Sequence, residues 1–176
     1  PDYFRHHLTR GLLQRKLGNA QAARRDLLRS VALLPTAEGH LGLGLMAEGG
    51  GRQVEALSHF RKAASASSPA GKDALGRLAR LEMSSKPGQY IKTAIGLTRD
   101  GRLAVTVTNR APLSVGDVRV SIRQRSNLGQ REVLSYKLRR PLAPSAKVDL
   151  VTELGPMSVK QARGFNAVIT HARPAE

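Results

Sequence analysis

The sequence predicts two domains, α then β: a helical-hairpin solenoid closed by a capping helix over residues 1–84, then a β-sandwich over residues 89–176. Three observations predict it. Residues 1–84 are rich in Leu, Ala and Arg at helical spacing, and they repeat themselves at an offset of 33 residues. Residues 89–172 are rich in Val, Ile and Thr and alternate with a period of two. The change of period falls at Ser84-Ser85-Lys86-Pro87-Gly88, a run of breakers that sets the domain boundary.

The repeat is read position by position. Leu8 recurs as Leu41, Gly11 as Gly44, Leu12 as Leu45, Gly18 as Gly51, Ala23 as Ala56, Leu27 as Phe60 and Ser30 as Ala63, each 33 residues on. Small residues at fixed places and a shared period of this size mark stacked helical hairpins. The helices are expected at 3–17, 20–33, 37–49 and 53–66, with turns at Asn19 and at the glycines of 49–51, and with Pro35 closing the second helix. A fifth helix, Pro69 to Met83, places Leu75, Leu78, Ala79 and Leu81 inward and Lys72, Asp73, Arg77 and Arg80 outward, as a cap on the last repeat.

The second half reads as short strands. Tyr90–Leu97 is the first, and Arg99-Asp100-Gly101-Arg102 is the hairpin turn after it. Leu103, Val105 and Val107 alternate along the second strand, and Val118, Val120 and Ile122 face inward on the third. A loop at Ser126–Gln130 leads to a fourth strand with Leu134, Tyr136 and Leu138 inward. Leu142-Ala143-Pro144-Ser145 turns into a fifth around Val148 and Leu150, and the last runs from Phe165 to Ala172. The alternation predicts that Arg119, Arg123, Arg125, Lys137 and Arg139 share the outer face as one exposed basic patch without an acid in it.

Charge is the loudest composition signal. The 176 residues hold 29 Lys and Arg against 13 Asp and Glu, a net charge of +16. Basic residues exceed acidic ones 14 to 7 before Gly88 and 15 to 6 from there on, so both halves favour anionic partners. Cysteine is absent, which excludes disulfides, thiolate metal sites and a cysteine nucleophile. Aromatic residues are 3%, too few for a platform that stacks bases or sugars. No apolar run is long enough to span a membrane. No charged-then-apolar leader follows Pro1, and the chain is expected to be a mature or excised fragment.

The motifs that resemble chemistry are explained by packing. Gly42-Leu43-Gly44-Leu45-Met46-Ala47 has the letters of a dinucleotide fingerprint, but that loop works only between a strand and a helix, and the repeat places it inside a helix. His6, His7, His40, His59 and His171 show no metal-ligand spacing, and His7 and His40 hold equivalent repeat positions. The acids are scattered, and there is neither a nucleophile elbow nor a phosphate loop. The expectation is a non-enzyme with no catalytic, cofactor or metal residues.

The first half resembles the tetratricopeptide repeat family. Leu43-Gly44 matches that family's Leu-Gly pair and Ala56-x-x-x-Phe60 its Ala-x-x-x-aromatic step, while Gly11, Gly18, Ala23, Leu27 and Pro35 fall in register in the first repeat. His7 and His40 stand in place of the family's Trp, Gln14 and Ala47 of its Tyr, and Arg10 of its Leu. The second half looks like the small immunoglobulin-like domains of bacterial envelope proteins, through Thr108-Asn109, Val118-Arg119-Val120, Gly129 and Leu142-Ala143-Pro144-Ser145. These resemblances imply a periplasmic or envelope-associated scaffold, with the cytoplasm left open.

Three functions follow as expectations. The first is a protein-binding module whose concave helical face carries Arg5, Leu8, Leu12, Arg15, Leu41, Leu45 and Glu48 for a peptide or protein, with the basic β domain as a second contact for an acidic partner or an anionic membrane surface. The second is a substrate-docking tail of a bacterial envelope zinc metalloprotease, implied by a loose likeness of Leu34-Pro35-Thr36-Ala37 and Leu41-Gly42-Leu43-Gly44 to such tails, with the catalytic domain on another part of the protein. The third is an anion-binding protein, with nucleic acid disfavoured as the anion by the scarcity of aromatics.

Overall fold

A computed structural model of the chain describes residues 3–127 and 129–175; residue 128, within the expected Ser126–Gln130 loop, and residues 1, 2 and 176 lie outside the described residues. The chain forms two compact units, Pro1–Leu81 and Glu82–Glu176. Helices come first and two small antiparallel sheets follow.

The first unit holds α1 (Phe4–Lys16), α2 (Ala20–Leu33), α3 (Ala37–Gly49), α4 (Gln53–Ala64) and α5 (Pro69–Glu82), the last ending one residue into the second unit. Each element lies within two residues of its sequence-predicted bounds. Helix α1 packs on α2, α3 on α4, and the two pairs meet through α2–α3 and α1–α3 contacts. The two turns between paired helices are the same turn made twice. Gly18 has φ +79° and Gly51 φ +71°, a left-handed backbone that glycine adopts without a Cβ penalty. Thr36 caps α3, its hydroxyl accepting from the Gly39 amide at 3.1 Å.

Packing repeats as well. Ala23, Leu27 and Ser30 on α2 are fully buried, and so are their counterparts Ala56, Phe60 and Ala63 on α4. The partner helix makes room in both cases with a glycine. A Cβ at Gly11 would stand 2.8 Å from Cγ of Leu27, and one at Gly44 would stand 2.5 Å from Cε1 of Phe60. Burying a ring such as Phe60 contributes roughly 1.5–3 kcal/mol. That gain depends on the close approach of α3 and α4, so the helix-weakening glycine is retained for packing. The dinucleotide-like letters around Gly42 and Gly44 lie within α3, as expected.

The second unit begins with the one-turn helix α6 (Pro87–Tyr90) and continues with β1 (Ile91–Leu97), β2 (Leu103–Asn109), β3 (Val115–Ser126), β4 (Gly129–Lys137), β5 (Lys147–Val151), the one-turn helix α7 (Val159–Ala162) and β6 (Phe165–Pro174). The two four-residue helices were not expected from the sequence; α7 forms because Ser158 and Gln161 cap each other reciprocally. One sheet has the order β1-β2-β5 and the other β4-β3-β6, both antiparallel. Leu103, Val105 and Val107 of β2 and Val118, Val120 and Ile122 of β3 are fully buried, as their alternation predicts. Leu134 and Tyr136 of β4, and Leu138 just after it, are only half-buried.

A single polar side chain ties the loops to this core. Asn109 is fully buried. Its Nδ2 donates to the carbonyls of Leu113 (2.9 Å), Leu142 (2.9 Å) and Ala143 (3.0 Å), while Oδ1 accepts from the Ala111 amide at 2.8 Å. The side chain thus satisfies backbone groups of two segments that leave the strands.

The glycine positions give a paired test. Gly44→Ala is expected to destabilise the helical unit by on the order of 1–3 kcal/mol, because overpacking against the buried Phe60 ring outweighs the better helix propensity of Ala. A Cβ at Gly76 on α5 meets nothing within 4 Å, so Gly76→Ala should be neutral or stabilise by up to about 1 kcal/mol. Urea denaturation followed by circular dichroism measures both; equal effects would contradict the packing account.

Candidate functional site

The outer face of the β4-β3-β6 sheet was expected to be purely basic, and two acids correct that. Strand β3 is irregular where it pairs with β6, with register shifts between Gly116 and Arg119 and between Arg119 and Val120. Asp117 sits in this irregularity with φ +49°, a left-handed backbone tolerated by Asp better than by most residues. Its carboxylate draws in cations from all three strands. Lys137 Nζ is 2.9 Å from Oδ1 and Arg119 Nε 3.8 Å from the same oxygen. His171 Nε2 is 3.2 Å from Oδ2 and Arg173 Nε 4.0 Å from it. The Asp117 side chain is 14% exposed, against 53% for Arg119, 63% for Lys137 and 68% for Arg173. Lys137 beside it, then Arg119 and His171, hold its carboxyl below the usual aspartate range against the opposing effect of desolvation.

The second acid enters through a bulge. The β3–β4 register runs Ile122↔Leu134 and then Arg123↔Glu132, so Val133 is passed over and Glu132 stands opposite Arg123. Glu132 bonds the Ser121 hydroxyl, and Arg123 Nε lies 3.3 Å from that same oxygen. The predicted patch is therefore divided. Arg119 and Lys137 pair directly across the strands next to Asp117, Arg139 follows just after Lys137, Arg123 joins the Glu132 network, and Arg125 lies exposed at the far end of β3.

Beside Asp117 lies an open cavity of about 470 Å³. Lys137, Arg139, Arg140 and Arg173 bring positive charge to it, and Leu138 and Pro141 bring apolar surface. Arg140, His171 and Arg173 were missed by the sequence reading, because they come from a loop and a last strand whose alignment with β3 no local pattern reveals.

The face expected on the helical unit is partly used for packing. Arg5 is exposed, and Leu8, Leu12 and Arg15 are half-buried. A Cβ at Gly39 would lie 3.8 Å from Leu8 Cδ1, and one at Gly42 3.2 Å from Leu12 Cδ2, so both leucines lean on α3. Leu41 and Leu45 pack against the core cluster built from Ala47, Ala56, Phe60, Ala63, Ala74 and Leu78. Glu48 pairs with Arg77 of α5 at 2.7 Å. The face expected to serve a partner thus also joins neighbouring helices, with Glu48 reaching α5 and Leu41 and Leu45 packing on the cluster to which α5 contributes Ala74 and Leu78.

The repeat also carries a polar pair. In the first hairpin His7 Nδ1 is 3.3 Å from Asp26, which Arg10 Nε holds at 2.7 Å. Arg10 first, and His7 after it, keep the Asp26 carboxyl below its ordinary range. The 33-residue counterparts of His7 and Asp26 are His40 and His59, whose Nδ1 atoms lie 3.2 Å apart. One imidazole N–H donates to the other ring's lone pair, which requires the accepting ring to be neutral and leaves no room for both rings to be protonated. Burial, with His59 and Lys62 adding to it, pushes His40 below the ordinary histidine range. Burial does the same to His59, with Glu55 opposing and Lys62 and Arg24 assisting.

Among the described residues, no group of three or more His, Cys, Asp or Glu is placed to hold a metal ion. No helix there is long and apolar enough to cross a membrane. Compared with protein-family models, curated proteins and solved structures, the chain matches none.

The histidine pair predicts a pH dependence. Both folded-state pKa values lie below the unfolded one, so the pair's contribution is complete above about pH 6.5 and is lost as the pH falls below that value. The urea midpoint of the helical transition should therefore be lower at about pH 5.5 than at about pH 7.5, and the difference should shrink in His40→Gln/His59→Gln. An unchanged difference in that variant would contradict this assignment.

Proposed function

We propose that the chain is a non-catalytic interaction module. In this reading the helical unit is a short tetratricopeptide-like array that takes a peptide or protein on the α1–α3 face, and the second unit is an immunoglobulin-like domain whose basic sheet is a further contact for an acidic partner. The observation that carries the reading is the duplicated hairpin. Gly11 with Leu27 and Gly44 with Phe60 make the same close approach, and Gly18 and Gly51 the same left-handed turn, 33 residues apart. Stacked identical hairpins align equivalent helices side by side, which generates an extended face of the kind that binds peptides. On that face Arg5 is exposed, and Leu8, Leu12, Leu41 and Leu45 each keep part of their surface open.

Site-specific photocrosslinking tests the face. A photoreactive side chain at position 5 should capture one discrete protein in the native host, and the same group at position 54, where Val54 is 84% exposed on α4, should not. Arg5→Glu should weaken the captured partner by about tenfold, or 1.4 kcal/mol. Equal capture from both positions would contradict the assignment.

A further inference from the structure

We propose that the cavity beside Asp117 is the docking site for an acidic segment of a protein partner. The inference rests on the interaction-module reading and names the chemistry of its second contact.

Three features point to an acidic peptide. The cavity wall carries Lys137, Arg139, Arg140 and Arg173, and the one acid among its described residues, Asp117, has Lys137 and Arg119 within ion-pair distance of Oδ1 and His171 and Arg173 within that distance of Oδ2. Among the described residues no acid pairs with Arg139 or Arg140, so two guanidinium groups remain to receive outside carboxylates. Guanidinium forks match carboxylates through two parallel hydrogen bonds, which a lysine cannot do. Asp117 has a positioning role: it anchors Lys137 and Arg173 and so holds the cationic wall in place before a ligand arrives.

The surroundings choose among anions. Leu138 and Pro141 place apolar surface next to the charges, which suits the methylene groups of a Glu-rich segment and offers nothing to a free inorganic anion. No aromatic side chain lines it, so it lacks the stacking that single-stranded nucleic acid uses.

The test uses the full chain and a fluorescein-labelled oligoglutamate peptide, read by anisotropy over a salt series. Binding should be saturable and should weaken by about tenfold or more in Arg139→Glu/Arg140→Glu. The control is Arg125→Glu/Arg131→Glu, which changes the charge equally at the other end of the sheet, about 20 Å away by strand geometry. It should weaken binding by less than about twofold at physiological salt, where charges so far apart are screened. Circular dichroism checks folding, and Arg139→Gln/Arg140→Gln serves if the charge-reversed variant fails to fold. Equal losses in the cavity and control variants, or no binding by the parent chain, would overturn the proposal. Displacement by inorganic phosphate as effective as by unlabelled peptide would also overturn it, in favour of a simple anion site. So would tighter, Arg139- and Arg140-dependent binding to phosphatidylcholine vesicles containing phosphatidylglycerol, in favour of a lipid surface. Binding lost in Arg5→Glu but kept in the cavity variants would move the peptide to the helical unit, overturning this site while leaving the interaction-module reading in place.

Discussion

One carboxylate organises the basic sheet. Asp117 is held inward by a left-handed backbone in an irregular stretch of β3, and there it meets Lys137 of β4 and His171 and Arg173 of β6. Without it, Arg119 and Lys137 would face each other across paired strands with Arg173 close by, and like charges placed so oppose pairing. The acid turns a repulsive cluster into a fixed one. Among the described residues Arg139 and Arg140 stay outside this pairing, and that division between satisfied and available cations turns a basic surface into a candidate site.

The helical unit is governed by a different constraint, the closeness of paired helices. Glycine at 11 and 44 admits Leu27 and Phe60, and this approach brings a polar pair together across each hairpin. The pair has diverged between the copies. His7 faces an acid that also holds Arg10, whereas His40 faces His59. The same backbone frame therefore supports an ionic contact in one copy and a neutral one in the other.

Much of this was legible in the sequence where the periodicity is local. Helix bounds followed from the 33-residue repeat, and the buried positions of β2 and β3 from simple alternation. The polar pair was also within reach, since His7–Asp26 and His40–His59 share both a spacing of 19 and the repeat offset. Of the acids of the sheet, Glu132 was not legible. Counting odd and even positions assumes straight strands, and the bulge at Val133 moves Glu132 to the counted face. Asp117 is odd-numbered like Arg119, so the same count carried back two residues places it on the basic face; reading the third strand from Val118 left it out, and only its pairing with β6 brings His171 and Arg173 to it. Arg140 and Arg173 meet only through that long-range pairing.

The central claim is that Asp117 is a charged anchor for the surrounding cations. Carbon-detected NMR titration of its side-chain carboxyl measures this directly. The account predicts a midpoint below the ordinary aspartate value of about 3.9, rising toward it in Lys137→Met. A midpoint at or above the ordinary value in the parent chain, or one indifferent to Lys137→Met, would contradict it.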